Sequence, residues 1–139
     1  GIDQIYPTDY AKAQTDFETD PKFHEFEPPV LAENSLAMNA LKTGMIIAGD
    51  TPVVLVNEPM LISSGKNSGI RYNFFYPRWA YDQYRVMLIE QSQKNNWAYV
   101  DLWDAVPENE FTNSAIHLTP NGEAQLAEKI IPVITTVCK

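Results

Sequence analysis

Val53-Val54-Leu55-Val56-Asn57 is an uninterrupted run of mainly β-branched, apolar residues that is followed by Glu58-Pro59. Because apolar and polar residues do not alternate in it, the pattern predicts a strand buried on both faces, as at the centre of a parallel sheet. Pro59 has no backbone N–H to donate to a neighbouring strand, so it marks the end of this one. The other predicted elements are therefore assigned relative to this buried parallel strand.

The segments on either side supply helices and a second strand. Residues 78–95 carry apolar side chains at helical spacing, and residues 97–102 form another buried strand pattern, so the two strands and this helix predict a right-handed βαβ unit. Upstream, residues 31–48 predict a helix. Downstream, Thr119-Pro120 predicts the start of a last helix, which Pro132 is expected to kink or end.

This order of elements predicts the α/β class, with a parallel sheet flanked by helices. Two strands are few for three helices, so either the N-terminal arm contains a further strand or another part of the domain is supplied elsewhere. The domain is then expected to be incomplete at its N-terminal side. Residues 1–30 have no clean period and are interpreted as an irregular arm with docked aromatic residues and a short helix at Asp9–Phe17. Residues 31–139 then form the domain proper.

The long segment 60–77 is interpreted either as a functional loop or as a mobile insertion.

Charge and composition exclude several functional classes. The chain has 10 basic and 18 acidic side chains, a net charge of −8, which argues against a nucleic-acid partner. No apolar run is long enough to predict a transmembrane segment. Cys138 is the single cysteine, and the spacing of His24 and His117 fits no known set of metal ligands. We therefore predict neither a metal nor a cofactor, and the sequence leaves the cellular compartment open.

The segment Phe111–Gly122, which reads FTNSAIHLTPNG, carries the candidate chemistry. His117 lies in a loop after the last strand and just before a helix, where open parallel sheets place their ligands. A histidine there can serve as a general base, although a surface or structural histidine is the alternative interpretation. Asn57 and Glu58 end the first strand at the same edge of the sheet. We predict that they bind substrate, the alternative being a solvated strand end.

Residues 111–130 (FTNSAIHLTPNGEAQLAEKI) resemble the last block of SGNH/GDSL-type hydrolases, in which an Asp and a His precede a helix with an HL-x-x-x-G pattern. VVLVNEP at 53–59 and YRVMLIEQSQKNNWAYVDLWDAV at 84–106 resemble the family's fourth strand and the helix and fifth strand that follow. The resemblance covers residues 40–135. It implies a flavodoxin-like three-layer α/β/α fold and hydrolysis of an ester, such as an acylated carbohydrate, with His117 as the base.

The chain departs from the family pattern in its other catalytic residues. The family's acid stands three residues before the histidine, where this chain has Ser114, and Asn113 stands four before. An asparagine can still fix the tautomer of a histidine, so His117, Asn113 and Ser114 are the candidate catalytic residues. The chain contains no GDS-like nucleophile block. Ser63 and Ser64, in the loop after the first strand, are the weaker candidates for a nucleophile.

Two functions from different classes follow. The chain is either the C-terminal part of a serine esterase or acylhydrolase, with a small-molecule or carbohydrate ester as substrate, or a non-catalytic SGNH-like module used for binding or assembly. Six aromatic residues between 72 and 81 are interpreted as a sugar-stacking or acyl-binding platform, or as anchors of their loop: Tyr72, Phe74, Phe75, Tyr76, Trp79 and Tyr81.

We predict that the chain is a homo-oligomer. If the first strands of the domain are missing, the strand at 53–57 has an unpaired edge, and such an edge recruits a strand from another chain. Light scattering should therefore give the mass of a dimer or a larger assembly. A monodisperse monomer would count against this prediction.

Overall fold

The computed structural model describes residues 19–138, so the short helix predicted at Asp9–Phe17 lies outside the described residues. In the described part, the helices and strands follow one another as α1 (Met38–Ala48), β1 (Val54–Asn57), α2 (Arg78–Asn95), β2 (Ala98–Asp101) and α3 (Pro120–Val137). Short 3-10 helices at Glu33–Ser35 and Glu108–Glu110 come before α1 and α3.

β1 and β2 form a two-stranded parallel sheet in which Val54 lies opposite Ala98 and Asn57 lies opposite Asp101. α2 connects the two strands, so the predicted βαβ unit and the mixed α/β class are confirmed. α2 ends where the sequence indicates, because Asn96 adopts the left-handed conformation (φ 53°) and its N–H bonds to the last turn of the helix. Asparagine tolerates this conformation better than most residues.

The strands are less buried than the sequence predicts. In β1 only Asn57 is buried, and all four residues of β2 are partly exposed. The prediction of a strand covered on both faces is therefore wrong for the part of the chain between residues 19 and 138. The physical reason is that β1 has β2 as its sole strand neighbour there, with α3 packed on β1 and α2 on β2.

Most of the buried apolar side chains lie instead in the loops that follow the strands, with others on α1 and α2. One cluster surrounds Phe111 and Leu61, and the other joins Met60, Tyr72 and Tyr81. The segment 60–77 contributes to both clusters. It is thus part of the core of the domain and not a mobile insertion.

Two buried polar side chains hold this segment in place. The side chain of Asn73 donates to the carbonyl of Leu61 (2.9 Å) and accepts from the backbone N–H groups of Phe75 (2.9 Å) and Tyr76 (3.1 Å). The guanidinium of Arg71 donates only to backbone carbonyls, two of them in the 73–74 turn and two in the arm at residues 20 and 22. These bonds satisfy groups that would otherwise be buried without partners.

The described part of the arm, residues 19–31, is docked on this segment and on α2. Trp79 donates through its indole N–H to the carbonyl of Pro21 (2.5 Å), and Gln83 binds both the carbonyl of Pro29 (2.6 Å) and the N–H of Leu31 (2.7 Å). Phe23 lies against Tyr76, with ring centroids 6.0 Å apart. The expectation that aromatic residues of the arm dock on the domain is met at Phe23.

α3 begins at Thr119-Pro120 as predicted, with the Thr119 side chain accepting from the N–H of Gly122 (3.1 Å). Gly122 is buried, and a Cβ there would lie 3.0 Å from both the Cβ and the carbonyl oxygen of Glu110. Pro132 does not end the helix, which continues to Val137. Because proline has no backbone N–H, the carbonyl of residue 128 has no helical hydrogen bond. Position 132 is exposed, so water can hydrate that carbonyl.

Replacing Gly122 by alanine should destabilise the protein, because the new methyl group has to displace the backbone at Glu110. We expect the free energy of unfolding to fall by about 1–3 kcal/mol. Gly44→Ala is the matched control, since a Cβ at Gly44 meets nothing within 4 Å in the described structure. That variant should gain roughly 0.5–1 kcal/mol from its better helix propensity. Urea unfolding of both variants measures these changes. An unchanged free energy of unfolding for Gly122→Ala would contradict the close packing of Gly122 on Glu110.

Candidate functional site

The loop that carries His117 is closed on itself and anchored in the core. Phe111 and Leu118 pair as an antiparallel bridge, and the N–H of Thr112 donates to the carbonyl of His117 (2.9 Å). At the tip, Ala115 is fully buried and its carbonyl accepts from the N–H of Leu61 (2.8 Å). The loop is thus fixed at its base and at its tip, and it presents His117 on a firm support.

The structure does not join the three predicted catalytic side chains to one another. His117 is exposed, and its hydrogen bonds within residues 19–138 are made by its backbone carbonyl. The amide oxygen of Asn113 accepts from the hydroxyl of Thr112 (3.4 Å). The hydroxyl of Ser114 accepts from the N–H of Ile116 (3.4 Å). Both side chains therefore stabilise the loop locally, and neither orients the imidazole of His117.

The two weaker nucleophile candidates also have local roles. Ser63 is buried, and its hydroxyl accepts from the N–H of Gly65 (3.1 Å). Ser64 is exposed and donates to a carboxylate oxygen of Glu108 (3.0 Å). Ser64 is thus tied to the segment that leads into the His117 loop, and its partner there is a carboxylate, not the imidazole of His117.

A polar pair links the ends of the two strands. The amide nitrogen of Asn57 donates to one carboxylate oxygen of Asp101 (2.9 Å). The other oxygen of Asp101 accepts from Nε (3.0 Å) and Nη2 (2.8 Å) of Arg85, on α2. Arg85 also lies 4.2 Å above the ring of Trp103. Burial works to lower the pKa of Arg85, but the hydrogen bond and charge of Asp101 outweigh it and raise that pKa.

Tyr81 fixes the other side of the same amide. Its hydroxyl donates to the amide oxygen of Asn57 (3.3 Å), and burial raises the pKa of this phenol, so it stays protonated at neutral pH. Asn57 is thus held with its oxygen toward Tyr81 and its nitrogen toward Asp101. One of its two amide hydrogens has no acceptor among residues 19–138.

Next to Asn57 lies a cleft of about 450 Å³ at the carboxyl end of β1. Its wall is mostly aromatic and aliphatic and is formed by Phe23, Leu31, Leu36, Val56, Asn57, Glu58, Pro59, Met60, Tyr76, Ala80, Tyr81, Tyr84 and Ile116. Both predicted substrate-binding residues, Asn57 and Glu58, therefore lie in one cleft. Ile116 brings the His117 loop to its edge, whereas Asn113 and Ser114 are not part of the wall.

Sequence reasoning missed the contribution of the arm to this cleft. The arm supplies Phe23, and Leu31 and Leu36 also line the cleft, together with Tyr81 and Tyr84 of α2. Of the predicted aromatic platform, Tyr76 and Tyr81 line the cleft, and Tyr84 joins them as a lining residue that lies outside that prediction. The sequence signal for this contribution is the recurrence of aromatic residues in the arm, a proline-rich segment without helical or strand periodicity.

The cleft has polar groups but no positive charge. No lysine or arginine is among its described lining residues, and the carboxylate of Glu58 lies exposed at the edge. The hydroxyls of Tyr76 and Tyr84 make no hydrogen bond within residues 19–138. Burial, together with the nearby Tyr76 and Asp101, raises the pKa of Tyr84, so its hydroxyl remains a hydrogen-bond donor at neutral pH.

Within residues 19–138, no group of three His, Cys, Asp or Glu side chains is placed to hold a metal ion. None of the helices described there has the length and hydrophobicity needed to cross a bilayer. Comparison with protein-family profiles, with curated proteins and with solved structures gave no match to this chain.

Arg85→Lys should loosen the polar end of the cleft, because lysine offers Asp101 no two-pronged contact and stacks less well on Trp103. We expect the free energy of unfolding to fall by about 1–2 kcal/mol. Lys22→Gln is the control, since Lys22 and Glu27 form an exposed ion pair of 2.7 Å, and exposed pairs contribute little. Denaturant unfolding should show no measurable change for the control. An equal effect of both substitutions would contradict the special role of Arg85.

Proposed function

We propose that the chain carries the histidine-bearing C-terminal part of an SGNH-type ester hydrolase with a three-layer flavodoxin-like fold. The observation that supports this most directly is the placement of His117. It lies in a firmly anchored loop between β2 and α3, and its neighbour Ile116 lines an apolar cleft at the carboxyl end of β1. Catalytic groups of open α/β sheets gather at this edge.

In the proposed reaction, His117 takes the proton from a serine hydroxyl while the serine oxygen attacks the ester carbonyl. The imidazolium then gives the proton to the departing alcohol, and water repeats the cycle on the acyl-enzyme. The exposed ring of His117 leaves room for a serine to approach. We assign that serine to a segment outside residues 19–138, because Ser63 and Ser64 are engaged elsewhere. The substrate is an uncharged ester, such as an acylated carbohydrate.

A second candidate, a non-catalytic binding module, is favoured by one specific observation. Within residues 19–138 no carboxylate is hydrogen-bonded to the ring of His117, and the side chain of Asn113 bonds to Thr112 instead. An imidazole without an orienting acceptor is a poor general base. The apolar cleft would remain a ligand site in such a module.

The decisive experiment compares residues 1–139 with the complete product of the gene. We expect no turnover of p-nitrophenyl acetate or butyrate by residues 1–139, since they lack a nucleophile block. We expect the complete product to hydrolyse these esters at a rate that His117→Ala lowers by at least about 100-fold, as for loss of a general base. His24→Ala, at an exposed histidine of the arm, is the control and should keep full activity.

Two outcomes would overturn parts of the proposal. If residues 1–139 turn the esters over and His117→Ala abolishes this, the nucleophile lies in this chain and its assignment to another segment is wrong. If the complete product is inactive, or active and indifferent to His117→Ala, the hydrolase proposal fails and the binding module is favoured.

A further inference from the structure

We infer that the cleft between the arm and α2 binds an uncharged small molecule with a hydrocarbon body and a carbonyl oxygen, and that this oxygen accepts the free amide hydrogen of Asn57. The inference rests on the cleft itself and does not require hydrolysis. It therefore holds equally for an enzyme and for a binding module.

The hydrocarbon body is inferred from the size and wall of the cleft. A volume of about 450 Å³ falls in the range of small-molecule sites, which are mostly apolar with a few placed polar groups. Leu31, Met60 and Ala80 are themselves almost fully buried, so the wall is part of the folded structure. A flexible alkyl chain can fill such a space and gain affinity with each methylene it buries.

The carbonyl is inferred from the fixed orientation of Asn57, which is only 7% exposed. The carboxylate of Asp101 only accepts and needs the amide nitrogen, whereas the hydroxyl of Tyr81 donates to the amide oxygen. A flipped amide would place its oxygen against the carboxylate of Asp101, so Asp101 fixes the orientation. The second N–H of Asn57 is thus a donor on a buried residue of the cleft wall, and a buried donor without an acceptor is unfavourable. A ligand oxygen satisfies it.

Two phenols reinforce the preference for a ligand acceptor. Tyr76 and Tyr84 line the cleft near Tyr81, and their hydroxyls have no hydrogen-bond partner among residues 19–138. Protonated phenols donate to oxygen atoms in the same way as the amide of Asn57. Both phenols can therefore donate to the same ligand oxygen as Asn57 or to a second one.

The absence of a lysine or arginine among the described lining residues argues against an anionic ligand. A carboxylate head group would lose its hydration without gaining a positive partner, and Glu58 would repel it. Arg85 does not serve as the positive partner of such a head group, because it is engaged by the carboxylate of Asp101 and the ring of Trp103. Fatty-acid anions are therefore disfavoured relative to amides or esters of the same length.

The test uses N-methyl alkanamides, which carry the carbonyl but resist hydrolysis. Calorimetric titration of residues 1–139 with N-methylbutanamide, N-methylhexanamide and N-methyloctanamide should show Kd falling by about fourfold per added methylene until the cleft is full. Octanoate should bind at least about tenfold more weakly than N-methyloctanamide, because of its charge.

Matched variants locate the binding in the cleft. Ile116→Trp should weaken N-methyloctanamide binding at least tenfold by filling the mouth, and it is tolerable because Ile116 is 52% exposed. Ile131→Trp, at an exposed isoleucine of α3 outside the wall, should leave the Kd unchanged. Glu58→Lys should tighten octanoate binding relative to the amide. Thermal unfolding of each variant checks that it is folded.

The inference is overturned if Kd does not depend on chain length, if octanoate binds as tightly as the amide, or if the two tryptophan variants behave alike. Amide binding without ester turnover by the complete gene product would thus refute the hydrolase proposal alone, and turnover without amide binding would refute this inference alone.

Discussion

The hydrogen bond between Asn57 and Asp101 is the constraint on which the functional end of the molecule depends. A sheet of two short parallel strands has few backbone bonds of its own, and this bond joins the strands at their last residues. Arg85 attaches α2 to the same carboxylate and also covers Trp103. The ends of both strands and the start of the loops that follow them are therefore joined to α2 through one half-buried carboxylate.

The sequence predicts the local elements well, because their signals are local. The apolar spacing of 78–95 and the Thr119-Pro120 start place α2 and α3 correctly, and the run at 53–57 locates β1 to within one residue. The position of Asn57 and Glu58 at a cleft follows from the rule that parallel strands end at a common edge. These inferences need only chain order and periodicity.

The features that the sequence does not predict depend on contacts between residues far apart in the chain, and such contacts leave no pattern in the sequence. Arg71 binds backbone carbonyls of the arm, and every residue type supplies such a carbonyl, so no motif marks the docking. The apolar run at 53–57 predicts full burial, but burial depends on how many layers cover the strand. Ser114 and Asn113 stand near the family's acid position, yet they bond within their own loop, and geometry rather than residue type decides that outcome.

The arm has one more consequence, for the order in which parts of the molecule open. Its bonds to Trp79 and Gln83 span 58 and 54 residues, and its own residues from 27 to 30 are exposed. Segments held by a few solvent-accessible bonds unfold locally at a lower cost than the core does. Amide exchange should therefore be faster in the arm than around Phe111 and Leu118. Phe23 belongs to this segment and lines the cleft, so a molecule held against it should also stabilise the N-terminal side of the chain.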